Sequence, residues 1–199
     1  MLSDQNRPGC GASIAFKELL KHPLEEFIRR ISSPGSEKKV IIADEKEEKI
    51  IEYFSATLKH IQAFGGLVQN SEGEILLIYR NGKWDLPKGK AENNETHQET
   101  AIREIHEECG NMNLEIVASL PTTYHIFVDA DRKFVFKECI WYHMITVGKP
   151  SIDCQLEEGI TEASWVALPV PVSILKGAYP SIRELVNYFQ LHYLRSLRS

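Results

Sequence analysis

No stretch of this 199-residue chain approaches the run of about 18 apolar residues that a membrane-spanning helix needs, and no charged-then-apolar leader opens it. Membrane insertion and secretion are therefore not expected, and a cytoplasmic location is the default. A basic excess is missing as well, since 23 Lys and Arg stand against 28 Asp and Glu for a formal charge of -5. Without a basic tail or stripe there is no electrostatic reason to expect binding to nucleic acid or to an anionic membrane. The four cysteines, Cys10, Cys109, Cys139 and Cys154, are few and far apart. They form no close metal-binding pair and no disulfide framework, and read as reduced thiols. No internal repeat recurs, so one main domain is expected.

What is present is material for a full core, with 43% hydrophobic residues. Residues 1–12, broken by Pro8, Gly9 and Gly11, lack periodicity and are expected to be loose. From Ser13 to Ile31, Leu24, Phe27, Ile28 and Ile31 recur at helical spacing, with Pro23 placed at a helix start. After the Ser33-Pro34-Gly35 break comes a β-branched run, Val40 to Ile42. Asp44 then stands as a cap for a helix whose buried stripe is Ile50, Ile51 and Phe54. Residues 13–60 thus make a small α/β subdomain. From Ile61 to Leu86 the pattern is of strands, with Asn81-Gly82 as a hairpin signal. Further strands are expected at Tyr124 to Val128, at Phe134 to Met144 and around Trp165, before a closing helix carrying Ile182, Leu185, Val186, Phe189 and Tyr193. Strands with helices before, within and after them predict an α/β sandwich with a mixed sheet over residues 61–199.

Chemistry gathers between Gly89 and Asn111, GKAENNETHQETAIREIHEECGN. A helix advances about 100° per residue, so Glu104, Glu107 and Glu108 share an arc of about 100°. Ala101, Ile102, Ile105 and Cys109 take another side and can dock on a core, while Gly110 stands where a left-handed residue ends a helix. Glu104 and Glu108, one turn apart, repel each other. A solvated helix gains nothing from that repulsion, whereas a cation between the two removes it.

This segment resembles the signature of the Nudix hydrolases. Gly89, Glu95, Arg103, Glu104, Ile105, Glu107, Glu108 and Gly110 all stand at motif positions. Only Asn111 departs, where an aliphatic residue is usual, and Met112 beside it can take over the packing. Seven fixed residues match by accident about once in 10⁸ placements at ordinary frequencies. The resemblance implies a Nudix-type α/β/α sandwich and hydrolysis of a diphosphate linkage in a nucleoside diphosphate joined to another moiety. It also implies that Glu104, Glu107 and Glu108, with the Gly89 carbonyl, hold Mg²⁺, with Mn²⁺ as a substitute, while Arg103 and Glu95 orient the cluster. The water-activating base is either Glu104 or an acid on a downstream loop, Glu157 or Glu158.

Arg80, Lys83, Lys88 and Lys90 surround the turn before the motif and are candidates for drawing phosphates in, against the plainer role of loop solubility. His125 is a candidate substrate contact or base near neutral pH, though a satisfied strand histidine is the commoner case. Trp84 or Tyr124 would suit stacking on a nucleobase, but strand aromatics usually serve the core. The expected partner is a small phosphorylated molecule, a nucleotide derivative or an inositol polyphosphate, with a homodimer left open. The competing function is a non-catalytic nucleotide or ADP-ribose binding regulator on the same fold.

Overall fold

The computed structural model describes residues 12–31, 40–43, 45–154 and 159–196. Two compact units emerge, Met1–His60 with Phe127–Phe136, and Ile61–Ile126 with Lys137–Ser199. In the first, strand β1 (Ala12–Ala15) pairs in parallel with β2 (Val40–Ala43), Ala12 opposite Val40 and Ala15 opposite Ala43. Parallel strands require a crossover. Here it carries two helices, α1 (Phe16–Leu19) and α2 (Leu24–Ile31). Leu24, Phe27 and Ile28 are buried, at the three- and four-residue steps that make one helical face. Helix α3 (Glu47–Thr57) presents Tyr53 edge-on to Phe16 and Phe54 to Phe136, with ring centroids 5.6 and 5.7 Å apart. The Arg29 guanidinium lies 4.9 Å above the Phe134 ring, and Lys59 bonds Asp129 at 3.1 Å.

Three expectations for this unit change. Ser13 to Ala15 are strand rather than the start of a helix. Helix α3 begins with Lys46 at its N-cap and has no side-chain cap, and Asp44 lies outside the described residues. Ile50, Ile51 and Phe54 are half-buried rather than buried. The loose leader expected over residues 1–12 falls outside the described residues except for Ala12.

The second unit is built on a seven-stranded sheet. Its strands are β3 (Lys59–Gln69), β4 (Ile75–Arg80), β5 (Lys83–Asp85), β6 (Lys88–Gly89), β7 (Leu114–Val128), β8 (Phe134–Thr146) and β9 (Ile160–Val166). The order is β5-β4-β3-β8-β7, with β6 on β3 and β9 on β4. Asn81 and Gly82 both have positive φ, 51° and 78°, the two-residue turn whose twist suits a hairpin between β4 and β5. Strand β7 starts at Leu114, ten residues before the expected Tyr124.

Helices cover both faces of this sheet. On one, Ala101, Ile105 and Cys109 of helix α4 (His97–Cys109) pack with Phe64, Val68, Leu76, Ile78 and Met144. On the other, Ile182, Leu185, Val186 and Phe189 of α6 (Pro180–Ser196) pack with Ala63, Leu67, Leu77 and Trp141. A short helix, α5 (Val172–Gly177), precedes α6 and has no counterpart among the expected elements. The result is the α/β/α sandwich. Period-two alternation along β4 sends Ile75 and Leu77 to one core and Leu76 and Ile78 to the other, which is why this strand reads as a continuous apolar run.

Candidate active site

Helix α4 is set by its own ends. Thr96 accepts from the Glu99 backbone N–H and Glu99 accepts from the Thr96 backbone N–H, a reciprocal capping box. At the other end Gly110 has φ 93° and ψ 163°. That is the extended, glycine-only region and not the left-handed conformation expected, and it directs the chain toward Asp153, whose N–H donates to the Cys109 carbonyl. Asn111 is exposed, and Met112, buried in the α4-side core, fills the aliphatic place beside it.

Docking of Ala101 and Ile105 turns Glu104 and Glu108 inward, 7% and 3% exposed. The strand pairs Phe64 to Gly89 and Gly65 to Lys88 fix the preceding loop against them. A Cβ on Gly89 would overlap the Glu104 carboxylate, so only glycine lets the helix carboxylate lie on that backbone. The Lys88 N–H donates to Glu108 Oε2 at 3.0 Å, and Arg80 Nη1 donates to Glu108 Oε1 at 2.9 Å.

Arg103 organises the rest. Its Nε and Nη2 grip the Glu95 carboxylate at 2.6 and 2.9 Å, and its Nη1 donates to Glu104 and Glu107, both at 2.9 Å. The second donor of the Nη2 group reaches the Lys90 carbonyl at 2.9 Å. Glu95 also accepts from the Glu92 N–H and the Thr100 hydroxyl. Hydrogen bonding to Arg103 foremost holds the Glu95 pKa down to about 2. The same pairing raises Arg103 above its ordinary value.

Of the three acids expected on one face, Glu107 differs, since its side chain is 47% exposed and held outward on Arg103. Among the described residues no three acidic, His or Cys groups converge on one point that would hold a metal ion. Each of these carboxylates is paired with an arginine instead. Glu157 and Glu158 lie outside the described residues.

The four basic side chains do not form one patch. Arg80 is committed to Glu108, and Lys83 lies 5.5 Å over the Tyr179 ring. Lys88 is buried with its ammonium on Asp85 and the Leu86 carbonyl, which corrects its placement as a loop lysine. Burial pulls the Lys88 pKa down, but Asp85 and Glu108 outweigh it and the net shift is upward. Lys90 is exposed. Trp84 packs against the α6-side core, edge-on to Tyr79. Burial foremost, then the charges of Lys137 and Lys88, lowers the His125 pKa to about 4 and favours the neutral imidazole. Lys137 itself carried no signal in the sequence, being a single lysine within a strand. Cys139 is buried and burial raises its thiol pKa, so it is an unreactive core thiol.

Comparison with known proteins gives this geometry a family. A model described as the NUDIX domain matches residues 59–188. The putative mutator protein MutT4 of Mycobacterium tuberculosis (strain CDC 1551 / Oshkosh) is 38% identical over 112 residues, 55% of this chain and 43% of that protein. The chain thus spans 43% of the length of that relative. Among solved structures, a C. elegans Ap4A hydrolase binary complex superposes with a TM-score of 0.55 at 21% identity, covering 67% of this chain and 98% of that one. The MutT protein from Methanosarcina mazei Go1 gives a TM-score of 0.50 at 25% identity, covering 68% and 96%. The match extends over more than half of the chain and includes the paired carboxylates of α4 and the loop they rest on, and the chain belongs to the Nudix family.

Proposed function

We propose that this chain is a Mg²⁺-dependent pyrophosphohydrolase that cleaves the phosphoanhydride linkage of a nucleoside diphosphate joined to another moiety, or of a related polyphosphate, by attack of water on phosphorus. The observation that carries this reading is the inward pair Glu104 and Glu108 on the Gly89 loop, with Arg103 bridging Glu95, Glu104 and Glu107. A solvated acidic helix has no use for two buried like charges one turn apart.

The donor set suits the metal. Carboxylate oxygens of Glu104, Glu107 and Glu108 and the Gly89 carbonyl are hard ligands, and Mg²⁺ takes a few such groups while sharing its shell with substrate phosphates. When bound, the ion neutralises phosphate charge and polarises the phosphoryl group. The chain's own residues do the rest. Arg103 keeps Glu104 and Glu107 in place through its grip on Glu95. The Lys88 N–H and Arg80 orient Glu108. Glu104 accepts the proton of the attacking water, unless Glu157 or Glu158 supplies that base. Substrate size follows from the family: a small phosphorylated molecule with no need of a basic surface. The hydrolase domain is assigned to residues 61–199 and a small α/β subdomain to 13–60, with the Phe127–Phe136 segment belonging to the compact unit of the latter.

Base assignment is tested by single substitution. If Glu104 is the base, Glu104→Gln lowers kcat by about 10²–10⁴-fold while Glu157→Gln and Glu158→Gln leave it unchanged. A large kcat loss in either loop variant, with Mg²⁺ affinity intact, moves the role to the loop.

A further inference from the structure

Helix α4 ends against a second cysteine. Cys109, its last residue, is fully buried. The segment from Pro150 to Cys154 runs past it and is held there at several points. Trp165 Nε1 donates to the Pro150 carbonyl at 3.0 Å, and the Asp153 N–H donates to the Cys109 carbonyl at 3.0 Å. Ile152 and Cys154 pack on the same core that contains Cys109. A Cβ built on Gly110 would lie 3.2 Å from both the backbone N and the Cβ of Asp153, so the bare backbone at Gly110 keeps the two segments this close. The Ala163 N–H of β9 is directed at the Cys154 sulfur, which lies near enough for its charge to act on the Cys109 thiol. Both thiols are free. They differ in access, since Cys109 is enclosed and Cys154 is half-buried.

Two thiols brought together by segments far apart in sequence suit thiol–disulfide exchange, because the second sulfur acts at high effective concentration. We propose that Cys109 and Cys154 form an oxidisable pair, a modification site at which a small disulfide of the glutathione type reacts with Cys154 and Cys109 resolves the product. In the first step the Cys154 sulfur, as thiolate, attacks one sulfur of the small disulfide. That S–S bond breaks, and one glutathione leaves as its thiolate. In the second step the Cys109 sulfur, its proton passed to the departed thiolate, attacks the Cys154 sulfur and expels the second glutathione. Two electrons pass from the cysteine pair to the small disulfide, and two glutathione thiols are released for each Cys109–Cys154 bond. Burial raises both thiols above their ordinary pKa, so nearness rather than acidity drives the exchange and the exchange is slow. The bond closes a loop of about 45 residues and fastens the Pro150 to Cys154 segment to the turn that carries Glu108. Cys139, in the core on the other side of the sheet, is an internal control. None of this depends on the hydrolase reading.

The folded full chain is incubated with oxidised glutathione at neutral pH, alkylated without reductant and digested for peptide mapping. Melting temperature is measured on the same samples. Wild type should yield a cross-link within one chain between the Cys109 and Cys154 peptides, while Cys139 remains a thiol. Its melting temperature should rise by about 5–10 °C, and dithiothreitol should reverse both changes. Cys109→Ala should retain glutathione on Cys154, because no sulfur is there to displace it. Cys154→Ser should leave Cys109 unmodified, because the reagent does not reach it. Cys10 is read separately in the same map and decides nothing. Glutathione retained on wild-type Cys154 without the cross-link, a cross-link between chains, or two thiols that stay free until the chain is unfolded would each overturn the pairing.

Discussion

Gly89 and Glu95 are the residues whose chemistry is most sharply defined. Gly89→Ala drives a methyl group into the Glu104 carboxylate, which must swing off the loop to admit it. The expected outcome is a loss of activity of at least about 10²-fold with weakened Mg²⁺ binding, seen by kinetics and by calorimetric metal titration, since a misplacement of about 1 Å is enough for such a loss. Near-normal metal affinity in the variant would show that the loop does not position Glu104. Glu95 gives a pH prediction. Its folded pKa of about 2 lies below the ordinary 4.5, so its contribution to stability is complete above 4.5 and disappears as pH falls toward 2. Arg103 stays charged throughout, so the bridge breaks by protonation of the acid. Acid unfolding of Glu95→Gln should lack this component, and a variant with an unchanged acid limb would remove Glu95 from the account.

Helix α4 is the element on which the site depends, and its capping box makes a separable contribution. Thr96→Ala removes the hydroxyl that accepts the Glu99 N–H. Stability should fall by about 1 kcal/mol in denaturant unfolding, with kcat reduced less than in any carboxylate variant. A kcat loss as large as that of a carboxylate variant would mean that the cap positions the acids directly. This helix is legible in the sequence because the acidic and apolar spacings and the terminal glycine agree with one another, whereas the capping box at Thr96 emerges only from the structure. The closing helix was legible from its apolar period, and the β4–β5 hairpin from Asn81-Gly82. Other features depend on contacts between distant segments and left no local mark. Arg103 bridging three glutamates required the loop at Glu95 to fold back on the helix. Lys88 looked like a loop cation until its neighbour Asp85 and the strand pairing with Gly65 turned it inward. In α3, a half-buried stripe and a buried one give the same apolar spacing.

At the scale of the molecule, the family match begins at residue 59, where β3 begins. The parallel β1–β2 pair and its helices precede it and form a compact unit with the Phe127–Phe136 segment. The residues of the proposed hydrolase chemistry all lie in the other unit, whose sheet carries α4 on one core and α6 on a second. Among the described residues no helix is long and apolar enough to cross a membrane. Glu104 and Glu108 are buried beside the Gly89 loop and each is paired with an arginine, an arrangement for which the proposed metal-dependent activity supplies a use, and one experiment addresses that claim directly. Phosphate release from a panel of nucleoside diphosphate and polyphosphate compounds is measured with Mg²⁺ and in EDTA, for wild type and for Glu108→Gln at matched thermal stability. The account predicts turnover of at least one compound by wild type in Mg²⁺, abolished by EDTA and lowered by about 10²-fold or more in Glu108→Gln. Turnover that persists in EDTA, or that survives in Glu108→Gln at the wild-type rate, would contradict it.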